Sequence, residues 1–361
     1  MIAAVRRALG LMSGTSLDGI DVAFIETDGR AHVVPGPALT FPYDEGLRAR
    51  LRSVLGGTGP VAEVERELTD AHAAAVEAFL ARHALRPVDV VGFHGHTILH
   101  RPQERRTWQI GDGARLAARL GIDVVCDFRS ADVAAGGEGA PLVPVFQAGL
   151  AAALERPLAV LNLGGVGNVT WLGAGEGELL AFDTGPGNAL VDDWVLRHTG
   201  QPYDAEGALA RAGKADGAWV ERFLAHPFFA RRPPKSLDRD DFRPFVPAAM
   251  SAEDGAATLT AMTAAAVAAA CRHFPAPPRR WLVTGGGRRN PAIMAALEAA
   301  LSLPVEPVEA VGWDGDSLEA QAFGYLAVRS LDGLPLSFPT TTGVPAPMPG
   351  GRRFPAFTRR N

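Results

Sequence analysis

The stretch LGLMSGTSLDGIDVAFIE, residues 9–26, decides how this chain is read. Apolar runs at 9–12 and 20–25 flank a short polar turn bracketed by Gly14 and Gly19, which predicts strand, tight turn, strand. Glycines let a ligand approach the backbone, and successive amide N–H groups in such a turn form a concavity suited to phosphate. Thr15 and Ser16 add hydroxyl donors. Asp18 and Asp21 suit a metal ion or a sugar hydroxyl better than a phosphate. An ordinary surface hairpin has the same local signature, so the rest of the chain must separate the two.

Working outward, the pattern restarts about 150 residues later in LAVLNLGGVGNVTWL, residues 158–172, again strand, glycine turn, strand. A duplication predicts two lobes around a cleft, with a boundary near 150–157. The lobes expected are 1–154 and 155–361, with the last helix (316–331) a candidate to pack back on the first lobe. Between the hairpins, helical spacing of Val64, Leu68, Ala71, Ala75 and Phe79 predicts a helix over 61–83. Asp112 reads as the N-cap of a helix ending at Gly121. A strand over 88–93 runs into His94-Gly95-His96-Thr97, the position where open α/β sheets place their sites. A strand over 179–182 runs into Asp183, and a strand over 280–284 precedes Gly285-Gly286-Gly287. The proline- and glycine-rich tail from residue 335 has no periodicity and reads as loop.

Composition removes other classes. The 361 residues carry a formal net charge of −5, 47% hydrophobic and 21% charged residues, ordinary for a globular chain and without the basic, aromatic-laced patches of a nucleic-acid binder. Cys126 and Cys271 are the only cysteines, too few for a disulfide framework or a cysteine zinc site. Arg6 and Arg7 interrupt the N-terminal apolar run, so no signal peptide is expected. No apolar run reads as membrane-spanning, the longest candidate being alanine-rich residues 261–270. A reducing cytoplasm is the expected location.

The glycine turns match neither a dinucleotide fingerprint nor a P-loop, since Gly213-Lys214-Ala215 fails in spacing and in its last residue. A third route to nucleotides remains, with paired hairpins holding phosphates and a strand–GGG–helix turn near adenosine. Asp183 is then the sharpest single residue. It reads either as a helix-entry cap or as a general base at a strand end. His94, His96 and His100 lack the geometry of a metal site and read as hydrogen-bonding groups.

The segments MSGTSLDGID (12–21), HGHT (94–97), QIGD (109–112), DFRSADVAAGGEGAPLVP (127–144), NLGGVGN (162–168), FDTGPGN (182–188) and WDGDSLEAQAF (313–323) occur in an order that closely resembles the anhydro-N-acetylmuramic acid kinases. The resemblance covers residues 9–343. It implies the α/β, two-lobed, duplicated ribonuclease H-like fold of sugar kinases, actin and the Hsp70 ATPase, with a central cleft. It also implies ATP and Mg²⁺, an anhydro-sugar substrate, a cytoplasmic location, and a homodimer. Asp183 becomes the catalytic base. Gly14, Thr15, Ser16, Leu17, Asp18, Gly19, Ile20 and Asp21, with Gly164, Gly165, Gly285, Gly286 and Gly287, become the ATP-binding set. Thr97, Arg129, Asp132 and Asn188 become the sugar-binding set, and Asp18 and Glu319 sit near the metal or support it. The family usually has Gln where His96 and Glu138 stand here. A kinase of another sugar, or an ATP-binding sensor or chaperone of the same fold, is the alternative; no helix-turn-helix or peptide-binding domain is recognised in the sequence.

Overall fold

The computed structural model describes residues 4–14, 17–85, 87–175 and 177–356. Its strands are β1 (Arg6–Ser13), β2 (Gly19–Thr27), β3 (Val33–Pro42), β4 (Val90–Arg101), β5 (Arg106–Ile110) and β6 (Asp123–Cys126), then β7 (Leu158–Leu163), β8 (Val166–Leu172), β9 (Leu179–Pro186), β10 (Trp281–Thr284), β11 (Val305–Pro307) and β12 (Arg352–Phe354). They form two sheets in two compact units, Met1–Ala153 with Ser317–Asn361, and Leu154–Asp316.

The first sheet runs β3-β2-β1-β4-β6-β12, with β5 also paired to β4. Its first three strands are antiparallel, and β1, β4 and β6 are parallel. The second sheet runs β9-β8-β7-β10-β11, with the first three antiparallel and β7, β10 and β11 parallel. Order and strand sense are therefore the same for five strands of each sheet, β3-β2-β1-β4-β6 matching β9-β8-β7-β10-β11. This repeat is the duplicated ribonuclease H-like fold that the two hairpins predict.

Side chains alternate across a strand, and β1 shows how that builds the first unit. Leu9 and Leu11 are fully buried in one cluster with Leu68, Val76 and Phe79 of the helix Val61–His83. Gly10 faces the other way, and a Cβ there would lie 1.7 Å from the Ala320 carbonyl oxygen. At Gly92 on neighbouring β4 it would lie 2.0 Å from that of Phe323. The helix Leu318–Leu331 thus rests with its backbone directly on the sheet. Arg329 ties its end down by donating to the Gly29 carbonyl at 2.7 Å and the Pro335 carbonyl at 2.8 Å. The last helix thus packs back on the first unit, as the sequence allowed, and the tail goes with it: residues 317–361 belong to the first unit, not to a lobe of 155–361. The tail is also more ordered in kind than the loop expected, because β12 pairs antiparallel with β6 and adds an edge strand.

In the second unit Leu161, Leu163, Val169, Phe182 and Val283 pack with Ala264 and Val267 of the helix Ala252–Ala270 and with Ile293 and Leu297 of the helix Pro291–Leu301. Residues 252–273 are long and apolar enough to cross a membrane by length and composition, contrary to the shorter run expected. Their apolar surface is mostly buried inside this unit's core. Asp112 caps its helix as expected, accepting the Arg115 N–H at 2.9 Å, and Gly121 ends it at φ 65°.

Candidate functional site

The first glycine turn leaves β1 at Ser13 and enters β2 at Gly19. Thr15 and Ser16 lie outside the described residues. Leu17 sits at φ 60°, its N–H bonded to the Gly14 carbonyl at 3.1 Å and its carbonyl to Arg48 Nε at 3.0 Å. The side chains of Leu17 and Ile20 are core, 4% and 2% exposed, so only their backbone is available to a ligand. Gly19 is required by packing, because a Cβ would approach the Phe41 carbonyl oxygen to 2.4 Å. Asp18 is exposed, and Asp21 accepts a hydrogen bond from Thr40 at 2.6 Å.

The second turn differs in an informative way. A Cβ added at Gly164 or Gly165 would meet no atom closer than 3.6 Å, so the protein's own packing does not demand glycine at either position. Their carbonyls accept the N–H groups of Asn188 and Gly187, at 2.7 and 3.0 Å. In the third turn Gly285 has φ +76°, Gly287 is pressed against Leu163, and Gly286 is exposed with room for a side chain. Arg288 braces this turn. It is almost fully buried, donating from Nη1 to the Gly285 carbonyl at 2.9 Å and pairing with Glu309 at 2.8 Å and Asp316 at 3.0 Å. Nothing in the sequence pattern marks Arg288, because its three partners are spread over 31 residues.

Asn188 lies with these turns. Its Nδ2 donates to the Leu163 carbonyl at 2.9 Å, and its amide packs against Gly286 and Gly287, joining the second and third turns. Its Oδ1 is buried without a hydrogen-bond partner among the described residues, so the expected sugar contact would have to come through that oxygen. Asp183 lies within β9, half-buried and opposite Asn168, so it is not a helix cap. Its N–H donates to the Lys235 carbonyl at 3.0 Å, and its Oδ2 accepts the Leu237 N–H at 2.8 Å.

In the first unit, Arg129 is the hub of the residues expected at the sugar. Its Nη1 donates to the Gly139 carbonyl at 2.8 Å, and its Nε and Nη2 lie 3.3 and 3.1 Å from His94 Nε2. His94 Nδ1 lies 2.9 Å from the Gly95 carbonyl and must donate to it, which leaves Nε2 as the acceptor. Burial first, and Arg129 second, hold this imidazole neutral, well below its ordinary pKa. Glu319 keeps solvent access, yet the protein around it pushes its carboxyl up, while Arg129 opposes the shift and Asp21 adds to it. Thr97 accepts from Gln109 Nε2 at 3.2 Å across the β4–β5 pair.

Asp132 departs from expectation. It is 2% exposed, and both carboxylate oxygens are engaged, by the Gly139 N–H and by the Thr342 hydroxyl, each at 2.6 Å. It shapes the 132–139 loop that presents Arg129. His96 is also internal, with Nδ1 3.0 Å from the Ser13 hydroxyl, to which Tyr43 donates at 2.7 Å. The departure from the family pattern at His96 therefore falls on a buried strut beneath the first turn. Among the described residues no group of three or more His, Cys, Asp or Glu side chains could hold a metal ion.

Two sheets of one order, each with a glycine turn between its first two strands, define the actin-like ATPase and sugar-kinase class, and β9 carries a half-buried carboxylate, Asp183, held by backbone groups. The family profile described as "Anhydro-N-acetylmuramic acid kinase" matches residues 6–356. Relatives of that description include the protein of Paramagnetospirillum magneticum, 65% identical over 350 residues (96% of this chain, 98% of the relative). That of Rhodospirillum rubrum is 58% identical over 356 residues (97% and 95%), and that of Acidiphilium cryptum 60% over 355 (96% and 97%). The chain belongs to the anhydro-N-acetylmuramic acid kinase family.

Proposed function

We propose that this protein uses ATP to phosphorylate O6 of 1,6-anhydro-N-acetylmuramic acid while water opens the 1,6-bridge, giving the 6-phosphate and ADP. Membership of the family across residues 6–356 carries this reading. The substrate's chemistry then restricts the mechanism. In the bridged sugar O6 is an ether oxygen bonded to C1 and has no proton to lose, so a base at this site must act on water.

Asp183 takes a proton from a water that attacks C1; the C1–O6 bond breaks, and O6 accepts the γ-phosphoryl group. Attack opposite O6 through an oxocarbenium-like state inverts C1, as in inverting glycosidases. The phosphoryl half of the reaction needs positioning and charge neutralisation more than covalent help. The bare glycines at 164, 165 and 286, where packing leaves room, favour close approach by a nucleotide. Arg129 is the sugar-side anchor. A guanidinium has five N–H donors, more than His94 and Gly139 take, and can meet the lactyl carboxylate. Thr97 and Glu319 complete that side.

Mg²⁺, when bound, would be held chiefly by phosphate and water, as this ion is at phosphoryl-transfer sites. Asp18, exposed on the first turn, is the side chain that would hold it, and the ion would offset phosphate charge. The same reading carries a cytoplasmic location and a homodimer.

The test is ATP consumption on a panel of amino sugars with and without the anhydro bridge. ADP release strictly dependent on the bridged muramic sugar is expected. Equal turnover of an open-chain or unbridged hexosamine, or release without any sugar, would contradict the assignment.

A further inference from the structure

Asp183 is gripped by a segment far away in sequence. Residues 235–237 run beside β9, receiving the Asp183 N–H on the Lys235 carbonyl and returning the Leu237 N–H to Asp183 Oδ2, at 3.0 and 2.8 Å. One short strap thus fixes both the backbone and the carboxylate of this residue. What holds the strap is unusual for a lysine. Lys235 is only 5% exposed, and its Nζ donates to the Phe228 carbonyl at 3.1 Å. The ammonium also lies 4.3 Å from the Phe228 ring centroid and 5.5 Å from that of Phe182, the residue next to Asp183.

Burying an ammonium is costly unless partners repay its lost hydration. Phe228 supplies a carbonyl and a ring face, Phe182 a second face, and Asp183 the opposite charge that favours the ammonium. The other charged or titratable groups acting there are Arg231, Arg272 and His273. The two arginines disfavour the Lys235 charge, and burial disfavours it most, bringing its pKa down to about 8. His273 is itself lowered, first by burial and then by Lys235.

We propose that Lys235 is a positioning residue for Asp183: its buried ammonium pins the 235–237 strap that aims the carboxylate, and its positive charge favours the carboxylate's ionised form. The inference rests on Asp183 being the base. A cation beside a carboxylate favours the ionised form, so removing the cation raises the pH at which the base becomes protonated.

Lys235→Met, which keeps the apolar packing, is compared with Lys235→Arg and Asp183→Asn in steady-state assays with ATP and the bridged sugar over roughly pH 5–9.5. Lys235→Met is expected to lower kcat about 10- to 100-fold, with KM for both substrates within about twofold. The acid limb of its kcat profile moves to higher pH. Lys235→Arg restores the charge and returns the limb towards its original position. An unchanged kcat and acid limb in Lys235→Met, with Asp183→Asn inactive, would overturn the role of Lys235 alone. So would equal losses of kcat and thermal stability in both lysine variants with no shift of the limb. Full activity in Asp183→Asn would instead remove the base itself.

Discussion

Asp183 receives an N–H from Leu237 and gives its own to Lys235, so backbone groups help to orient its carboxylate. Asparagine has the same shape and can still accept the Leu237 N–H through its amide oxygen, but it cannot take a proton. Asp183→Asn should therefore keep its melting temperature and its calorimetric affinities for ATP and sugar. Its kcat should fall by about 10²–10⁴. At this scale the sequence offers candidate chemistry and is poor about partners. An acid between an apolar strand and two glycines marked Asp183. Asp132 and Asn188 looked equally suited to a sugar, and only the structure shows both Asp132 oxygens spent on Gly139 and Thr342, with Nδ2 of Asn188 on Leu163 and its Oδ1 unpaired among the described residues. Lys235 was silent because its importance depends on Phe182 and Phe228 facing it.

Among the elements, the glycine turns carry the clearest distinction between folding and binding. Gly187 cannot carry a Cβ, which would sit 2.3 Å from the Gly164 carbonyl oxygen, and Thr263 from the long alanine-rich helix donates to the Gly187 carbonyl at 3.0 Å. At Gly164 the nearest atom would be 3.8 Å away. Gly187→Ala should thus destabilise the second unit by about 1–3 kcal/mol in denaturant titrations. Gly164→Ala should leave stability unchanged and raise KM for ATP several-fold. An unaltered KM in Gly164→Ala would mean that no nucleotide approaches that turn. Both hairpins and the helix Val61–His83 were legible because period and turn chemistry are local. Strand β12 was not, since its three residues are specified by the β6 edge they meet.

For the molecule as a whole, the repeated strand order is the fact that two similar hairpins about 150 residues apart could announce. The allegiance of residues 317–361 was legible only as a candidate packing of the last helix, and for the tail beyond it not at all. It depends on Gly10 and Gly92 baring the sheet to a helix more than 200 residues on. The central claim concerns chemistry, namely that water attacks C1 while the bridging O6 leaves and becomes the phosphorylated oxygen. Turnover in ¹⁸O-water tests it most directly, with the product trapped before ring opening can exchange its anomeric oxygen. The label is predicted on C1, with C1 inverted and the transferred phosphoryl group unlabelled. Label in the phosphoryl group, or an unlabelled C1, would contradict the mechanism.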